Sequence, residues 1–315
     1  MKKILANDGM EEEGIKMLEK EGFMVATEKV PQDELVEVIN AEDFDALVVR
    51  SATRVDKALI DSCPSLRLIA RGGVGMDNID VEHAKSKNIQ VVNTPAASSL
   101  SVAELVMASI FTMARNLDES NRNMPTKGHT EFAALKKKYA KGIEVSGKNL
   151  GIIGFGRIGQ CLAKLGLGTG MNILAYDPYI PEATLEMTLN GSQKVSVNIK
   201  TCSLDDLLAK SDFISLHVPG GKVITHAQIK KMKQGVMLIN ASRGGVIEEQ
   251  ALLDGLNSGH IAHAALDVFE DEKSPRLEIM HHPKISLTPH IGGSTEEAQQ
   301  RIGKELAEKI IHFLK

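Results

Sequence analysis

The sequence predicts an α/β protein built from two doubly wound parallel-sheet domains. Three observations carry this. Short apolar runs alternate with amphipathic segments along most of the chain. A glycine-rich strand-to-helix turn sits near the middle, not after the first strand. And 315 residues suffice for two domains that each bury a core.

Before about Pro95, residues 4–6, 24–26, 47–49, 66–70 and 89–92 read as strands, and 11–21, 32–40 and 57–61 as helices. Strands apolar at successive positions are buried on both faces, as in a parallel sheet covered by helices. No nucleotide fingerprint follows the first strand, so this region is expected to serve another ligand. Two strand-end loops are candidates: Arg50-Ser51-Ala52-Thr53-Arg54 and Arg71-Gly72-Gly73-Val74-Gly75. Ligands of open α/β sheets bind past the carboxyl ends of strands, and glycine-rich loops offer backbone N–H groups to anions. Residues 98–116 form a helix apolar around most of its circumference, which a neighbouring domain or a second copy must cover. The region 99–141 is therefore expected to carry a homodimer interface, with the polar, lysine-rich part from Leu117 as a surface arm.

Residues 149–160, NLGIIGFGRIGQ, join an apolar strand, G-x-G-x-x-G at Gly154, Gly156 and Gly159, and a helix with Ile158, Leu162, Ala163 and Leu165 at helical spacing. Gly154 permits the tight turn, Gly156 lets the backbone approach a diphosphate, and Gly159 lets the helix lie close on the strand. The N–H groups at the helix start, at Arg157 and Ile158, then favour the anion. Residues 172–176 form a second strand ending at Asp177, eighteen residues past Gly159. A carboxylate there accepts hydrogen bonds from the adenosine ribose and repels a 2′-phosphate, so the expected cofactor is NAD and not NADP.

Further strands are expected at 195–198, 213–218, 236–240, 262–267 and 285–288, giving a nucleotide-domain sheet of six or seven strands; helices are expected near 204–210, 226–231, 248–258 and 295–315. The strand ends carry His217-Val218-Pro219, Asn240-Ala241-Ser242-Arg243-Gly244-Gly245, residues 267–272, and Thr288-Pro289-His290-Ile291-Gly292-Gly293. A net charge of −4 and the lack of a basic tail give no reason to expect nucleic acid. The apolar runs fall short of a membrane span and the acidic start is unlike a signal peptide, so no membrane partner and a cytoplasmic address are expected. Cys63, Cys161 and Cys202 are widely spaced, without a disulfide framework or a zinc-ligand pattern, and no metal is expected.

The segments VRSATRVD, IARGGVGMDNID, VVNTPAASSLSVAEL, LGIIGFGRIGQ, YDPY, INASRGGVIEE, LDVFEDE and LTPHIGGST occur in the order seen in the D-isomer-specific 2-hydroxyacid dehydrogenases, which the chain resembles over nearly its whole length. The resemblance implies a Rossmann NAD-binding domain, 99–291, inserted into a flavodoxin-like substrate domain, 1–98 plus 292–315. It implies a small 2-hydroxy acid as substrate and Arg243, Glu272 and His290 as the catalytic set. His290 would exchange the hydroxyl proton, Glu272 would fix its tautomer, and Arg243 would hold the carboxylate and the C2 oxygen. Asp267 would receive the nicotinamide carboxamide, with Val218, Pro219, Ala241, Ser242, Gly292 and Gly293 also near the cofactor. The backbone at 73–75 would hold the substrate carboxylate, and Arg50, Arg54 and Arg71 suit a phosphate. Two departures stand out: Ser98 where asparagine is common, and Gly220-Gly221-Lys222 after the histidine-proline strand end. The carboxyl-terminal regulatory domain of longer relatives is not expected. An NAD(H)-sensing binding protein of the corepressor kind is the alternative from another class.

Overall fold

In the computed structural model, which describes residues Met1–Lys315, the chain is divided between two units, Met1–Ser99 with Gly293–Lys315 and Leu100–Gly292. The first unit begins with β1 (Lys3–Ala6), α1 (Glu12–Lys20), β2 (Met24–Ala26), α2 (Leu35–Glu42), β3 (Ala46–Val49), α3 (Lys57–Ser62), β4 (Leu68–Arg71), α4 (Val81–Ser86) and β5 (Gln90–Asn93). All strand pairings are parallel, in the order β2-β1-β3-β4-β5, the flavodoxin-like arrangement. Alternation along the strands sorts the core into two layers. Leu5, Leu47, Val49 and Ile69 pack with Leu35, Ile39 and Leu59, while Ile4, Ala6, Val48 and Ala70 face the opposite side. The strand order reverses between β1 and β3, which brings the loops after both to one crevice.

The second unit contains α5 (Ser99–Arg115), α6 (Leu117–Lys138), β6 (Asn149–Ile153), α7 (Arg157–Gly168), β7 (Asn172–Tyr176), β8 (Glu182–Leu189), β9 (Gln193–Lys200), α8 (Leu204–Lys210), β10 (Phe213–Leu216), α9 (His226–Ile229), β11 (Val236–Asn240), α10 (Glu249–Asn257), β12 (Ile261–Leu266), α11 (Leu277–Met280) and β13 (Ile285–Leu287). Its six parallel strands run β13-β12-β11-β10-β6-β7, reversing direction of winding between β6 and β10. One face packs Ile214, Leu216, Leu238 and Leu266 against α8 to α11. The other packs Ile152, Phe213 and Ile239 against α5 and α7.

One expected strand lies elsewhere. Residues 195–198 belong to β9, which pairs antiparallel with β8 as a separate two-stranded hairpin and not with the main sheet. Asn190 and Gly191 both take positive φ, 48° and 75°, and turn the chain back, as an Asn-Gly pair readily does. Leu185 is buried on the inner face, while Glu182, Glu186, Lys194 and Lys200 point outward. β7 consequently ends the sheet. The expected surface arm is the helical segment α6, interrupted at Glu131, where φ is −121° and ψ 24°. It joins α5 through Asn116, in the left-handed region at φ 52°, with a 60° bend. Leu135 is its one buried side chain. No single helix is long and apolar enough to cross a membrane.

The chain returns to the first unit as α12 (Glu296–Leu314), whose N-cap Thr295 accepts the N–H of Ala298. Ile302, Leu306, Ala307 and Ile310 cover the face that Ile4, Val48 and Leu68 leave open. α12 lies close against α1: a Cβ on Gly14 would stand 2.5 Å from the carbonyl oxygen of Gly303, and one on Gly303 would stand 2.7 Å from Cβ of Glu11. Two glycines thus set the spacing of these helices.

Candidate active site

The turn from β6 into α7 uses its three glycines differently. Gly154 has φ 93°, and a Cβ on it would lie 2.4 Å from the carbonyl oxygen of His217. A Cβ on Gly159 would lie 2.3 Å from the carbonyl oxygen of Gly154. Around Gly156 a Cβ would meet nothing within 4 Å. Two glycines therefore close the packing, and the third leaves bare backbone where α7 begins. That helix has 12 residues and no side-chain cap, so the N–H groups of Arg157 and Ile158 are its first donors. Such a cradle fits a diphosphate.

Asp177, just past β7, is tied into the same turn. Its Oδ2 accepts the N–H of Phe155 at 2.7 Å, and its Oδ1 accepts those of Tyr179 and Ile180 at 2.8 and 3.1 Å. This carboxylate shapes the glycine loop. At the end of β10 the ring of His217 turns inward, with Nε2 2.9 Å from Oγ of Ser215 and Nδ1 buried without a partner. His217 meets the nucleotide turn through its backbone carbonyl and not its ring. Val218 also borders Gly154, and Pro219 is exposed.

After β11, the buried Asn240 closes a turn on itself. Its Oδ1 accepts from N–H and Oγ of Ser242 at 3.1 and 2.8 Å, and its Nδ2 donates to the carbonyl of Arg243 at 2.9 Å. The hydroxyl of Ser242 is thereby occupied, Ala241 forms the turn's edge, and Nη1 of Arg243 donates to the carbonyl of Ser242 at 2.7 Å. Asp267, after β12, is 4% exposed yet carries three hydrogen bonds. Its Oδ1 accepts from Oγ1 of Thr288 at 2.6 Å and from N–H of Ile291 at 2.8 Å, and its Oδ2 accepts from N–H of Gly292 at 2.8 Å. These bonds wrap the loop after β13 around His290, which takes the left-handed conformation at φ 54°. Nδ1 of His290 then stands 3.0 and 2.9 Å from the two carboxylate oxygens of Glu272. A carboxylate there places the proton on Nδ1 and leaves Nε2 for exchange. Of Asp267, Oδ2 with one donor keeps acceptor capacity for a carboxamide.

The first unit's loops are tied down in the same manner. Asp8 accepts from N–H of Arg50 and Thr53 at 2.7 and 3.0 Å and from Oγ1 of Thr53 at 2.8 Å. Asn78 donates to the carbonyls of Arg50 and Thr53 at 2.8 and 2.6 Å and accepts from Nε of Arg71 at 3.4 Å. The guanidinium of Arg71 lies over Gly73, at φ 143°, where a Cβ would stand 2.2 Å from Nη1. One expectation is corrected: the N–H of Gly73 donates to Oγ1 of Thr94 at 2.9 Å and is not available to a substrate carboxylate. The N–H groups of Val74 and Gly75 donate to no protein acceptor. Nη2 of Arg50 donates to Oε1 of Gln299, in a cavity of about 470 Å³ that Glu11, Ser294, Thr295 and Glu296 also line. Asp45, a nearby carboxylate, accepts the N–H of Lys3. Ser51 is exposed, Gly293 packs by Ser98, and Arg54 points to solvent beside Asp56 at 3.9 Å.

Asp8, Asn78 and Thr94 were not singled out by sequence, and Asn240 only as the start of a strand-end segment. Their only signal was a short polar side chain at a strand end, which is also the ordinary composition of turns. No group of three or more His, Cys, Asp or Glu side chains is arranged to hold a metal.

The interior ring of His217 makes stability depend on pH. Burial pushes its pKa from 6.5 down to about 4, although the residue keeps some surface elsewhere. Below pH 6.5 the unfolded chain binds a proton that the folded chain refuses, so stability falls as pH drops towards 4, by about 3 kcal/mol for the full shift. His217→Gln is expected to flatten this decline in urea-unfolding midpoints. An unchanged slope would mean that the ring titrates as if exposed.

Comparison with known proteins bears on these arrangements. Residues 107–292 match the family model described as D-isomer specific 2-hydroxyacid dehydrogenase, NAD binding domain. A hydroxypyruvate reductase of Thermotoga maritima is 43% identical over 320 residues, covering 99% of this chain and 98% of its own. A D-3-phosphoglycerate dehydrogenase of Methanocaldococcus jannaschii is 42% identical over 319 residues, and the chain spans 58% of that relative's length. The solved structure of a D-2-hydroxyisocaproate dehydrogenase superposes with a TM-score of 0.79 at 26% identity, covering 100% of this chain and 97% of that one. The enzyme's cofactor is therefore NAD, and the chain belongs to the D-isomer specific 2-hydroxyacid dehydrogenases.

Proposed function

We propose that the enzyme oxidises D-3-phosphoglycerate to 3-phosphohydroxypyruvate, the step that opens serine biosynthesis. NAD, when bound, supplies the hydride acceptor. Nε2 of His290 takes the C2 hydroxyl proton, and the Glu272 carboxylate at Nδ1 stabilises the imidazolium that results. Arg243 offers its fork to the carboxylate and the C2 oxygen, polarising that oxygen in the reverse direction. Val74 and Gly75 offer N–H groups to the carboxylate, and Asp177 meets the ribose.

The phosphate reading rests on one observation: Arg50 and Arg71 stand at the ends of adjacent strands, in register through Val49 and Arg71, with Asn78 bonded to both loops. Charge-assisted hydrogen bonds of about 1.5–3 kcal/mol each would discriminate for a phosphate. A second reading, reduction of unphosphorylated hydroxypyruvate, is favoured by the Thermotoga relative that matches over almost its whole length. It is also favoured by Glu11 and Glu296, which share the cavity of Arg50 and offset its charge. A second copy of the chain is proposed to cover α5 and α6, where Phe111, Leu117, Met124 and Phe132 are each at least 40% exposed.

Three measurements test these readings. His290→Ala is expected to lower kcat by about 10²–10⁴ with NADH binding by fluorescence little changed; near-normal turnover would require another base. Arg50→Ala is expected to cut kcat/KM for 3-phosphoglycerate by about tenfold or more while sparing glycerate. Equal losses on both would favour the unphosphorylated substrate. Sedimentation should show a dimer that Phe132→Glu weakens, and a monomer at all concentrations would dismiss the interface.

A further inference from the structure

We propose that Glu249 and Glu270 are positioning residues that hold the Arg243 turn in register with the loop carrying Glu272. This rests on the roles given above to Arg243 and Glu272. Its starting point is α10, which begins without a cap of its own, because its N-cap Glu248 makes no side-chain hydrogen bond. The N–H of Glu249, the first helical residue, donates instead to Oε1 of Glu270 at 3.2 Å. In return, Oε1 of Glu249 accepts the N–H of Glu270 at 3.0 Å. Each residue thus binds the other's backbone through its own carboxylate.

Helix capping alone does not account for this pair. A serine, threonine or aspartate at the N-cap would satisfy α10 without bringing two acids together. Here Glu249 is 6% exposed, and burial and the neighbouring Glu270 carboxylate both push its pKa up, against the pull of the Glu270 N–H and Arg276. The helix start does favour an anion through its unpaired N–H groups, which explains the place of Glu270. It does not explain why Glu249 reaches back.

What the exchange achieves is a cross-tie between two loops. Gly244 follows Arg243, and a Cβ on Gly244 would stand 1.7 Å from the carbonyl oxygen of Phe269. The Arg243 turn therefore rests directly on the backbone one residue before Glu270. Two residues after Glu270 comes Glu272, with both carboxylate oxygens on Nδ1 of His290. On the other side of the same segment, Asp267 fixes the His290 loop. Arg243, Glu272 and His290 come from three strand ends, and the segment 267–270 references all three to one another. Misplacing such groups by about 1 Å can cost about 10²-fold in rate.

The test uses Glu249→Ala, Glu249→Gln, Glu270→Ala and Glu270→Gln in the full chain. Both alanine variants are expected to lower kcat about tenfold or more, with KM for NAD changed by less than about twofold. The glutamine variants keep an oxygen that can accept the same N–H and are expected to recover most of the rate. Amide hydrogen exchange at residues 268–272 should quicken in the alanine variants and not in the glutamine ones. Loss of thermal stability with kcat intact would overturn the proposal, as would glutamine variants as slow as the alanine ones. Normal turnover in Glu272→Gln would overturn the catalytic reading alone; the cross-tie then still stands if exchange at 268–272 quickens in Glu249→Ala.

Discussion

A parallel sheet delivers the carboxyl ends of all its strands to one edge, and both units of this enzyme are organised by that constraint. It gathers groups from distant parts of the chain: Asp177, His217, Arg243, Asp267 and His290 follow five different strands. It does not orient them. Each strand end is followed by a loop whose backbone has left the ladder and lost its hydrogen-bond partners. The order of the site therefore depends on what satisfies those loops.

The same device recurs at each of them. Asp8, Asn78, Asp177, Asn240 and Asp267 each place a short amide or carboxylate against backbone groups of an adjacent turn. Short side chains lose little rotamer entropy on being fixed, and charged acceptors make the stronger bonds. Glycines complement them where backbones touch, as Gly154 does against His217 and Gly244 against Phe269. Sheet, glycine and carboxylate together fix the strand-end loops within each unit, and in the second the left-handed His290 is held by bonds at both of the residues that follow it.

Much of this could be read from residues alone, and the failures have physical causes. The strand-turn-helix at 149–160 was legible because burial on both faces, close packing and anion binding all act within one short segment. The hairpin was half visible. Residues 193–200 alternate plainly, but its partner, Glu182–Leu189, is rich in Glu, Ala, Leu and Met, whose helical preference disguised a strand that pairing imposes. The bond from Gly73 to Thr94 spans 21 residues and two strands, so nothing local to the glycine loop announced it. The tie between Glu249 and Glu270 had no sequence signal, because their relation exists only once β11 and β12 are neighbours.

The discontinuous first unit has a bearing on how the polypeptide is made. Synthesis produces β1 to β5 early, yet one side of that sheet, with Ile4, Val48, Leu68 and Ala70, is covered by Ile302, Leu306 and Ile310 near the other terminus. The intervening 193 residues, Leu100–Gly292, have a complete core of their own and can fold first. During translation the nascent amino-terminal sheet therefore waits with an apolar face open to water, the condition in which chains associate wrongly or recruit chaperones. The first unit is completed only once α12 has emerged.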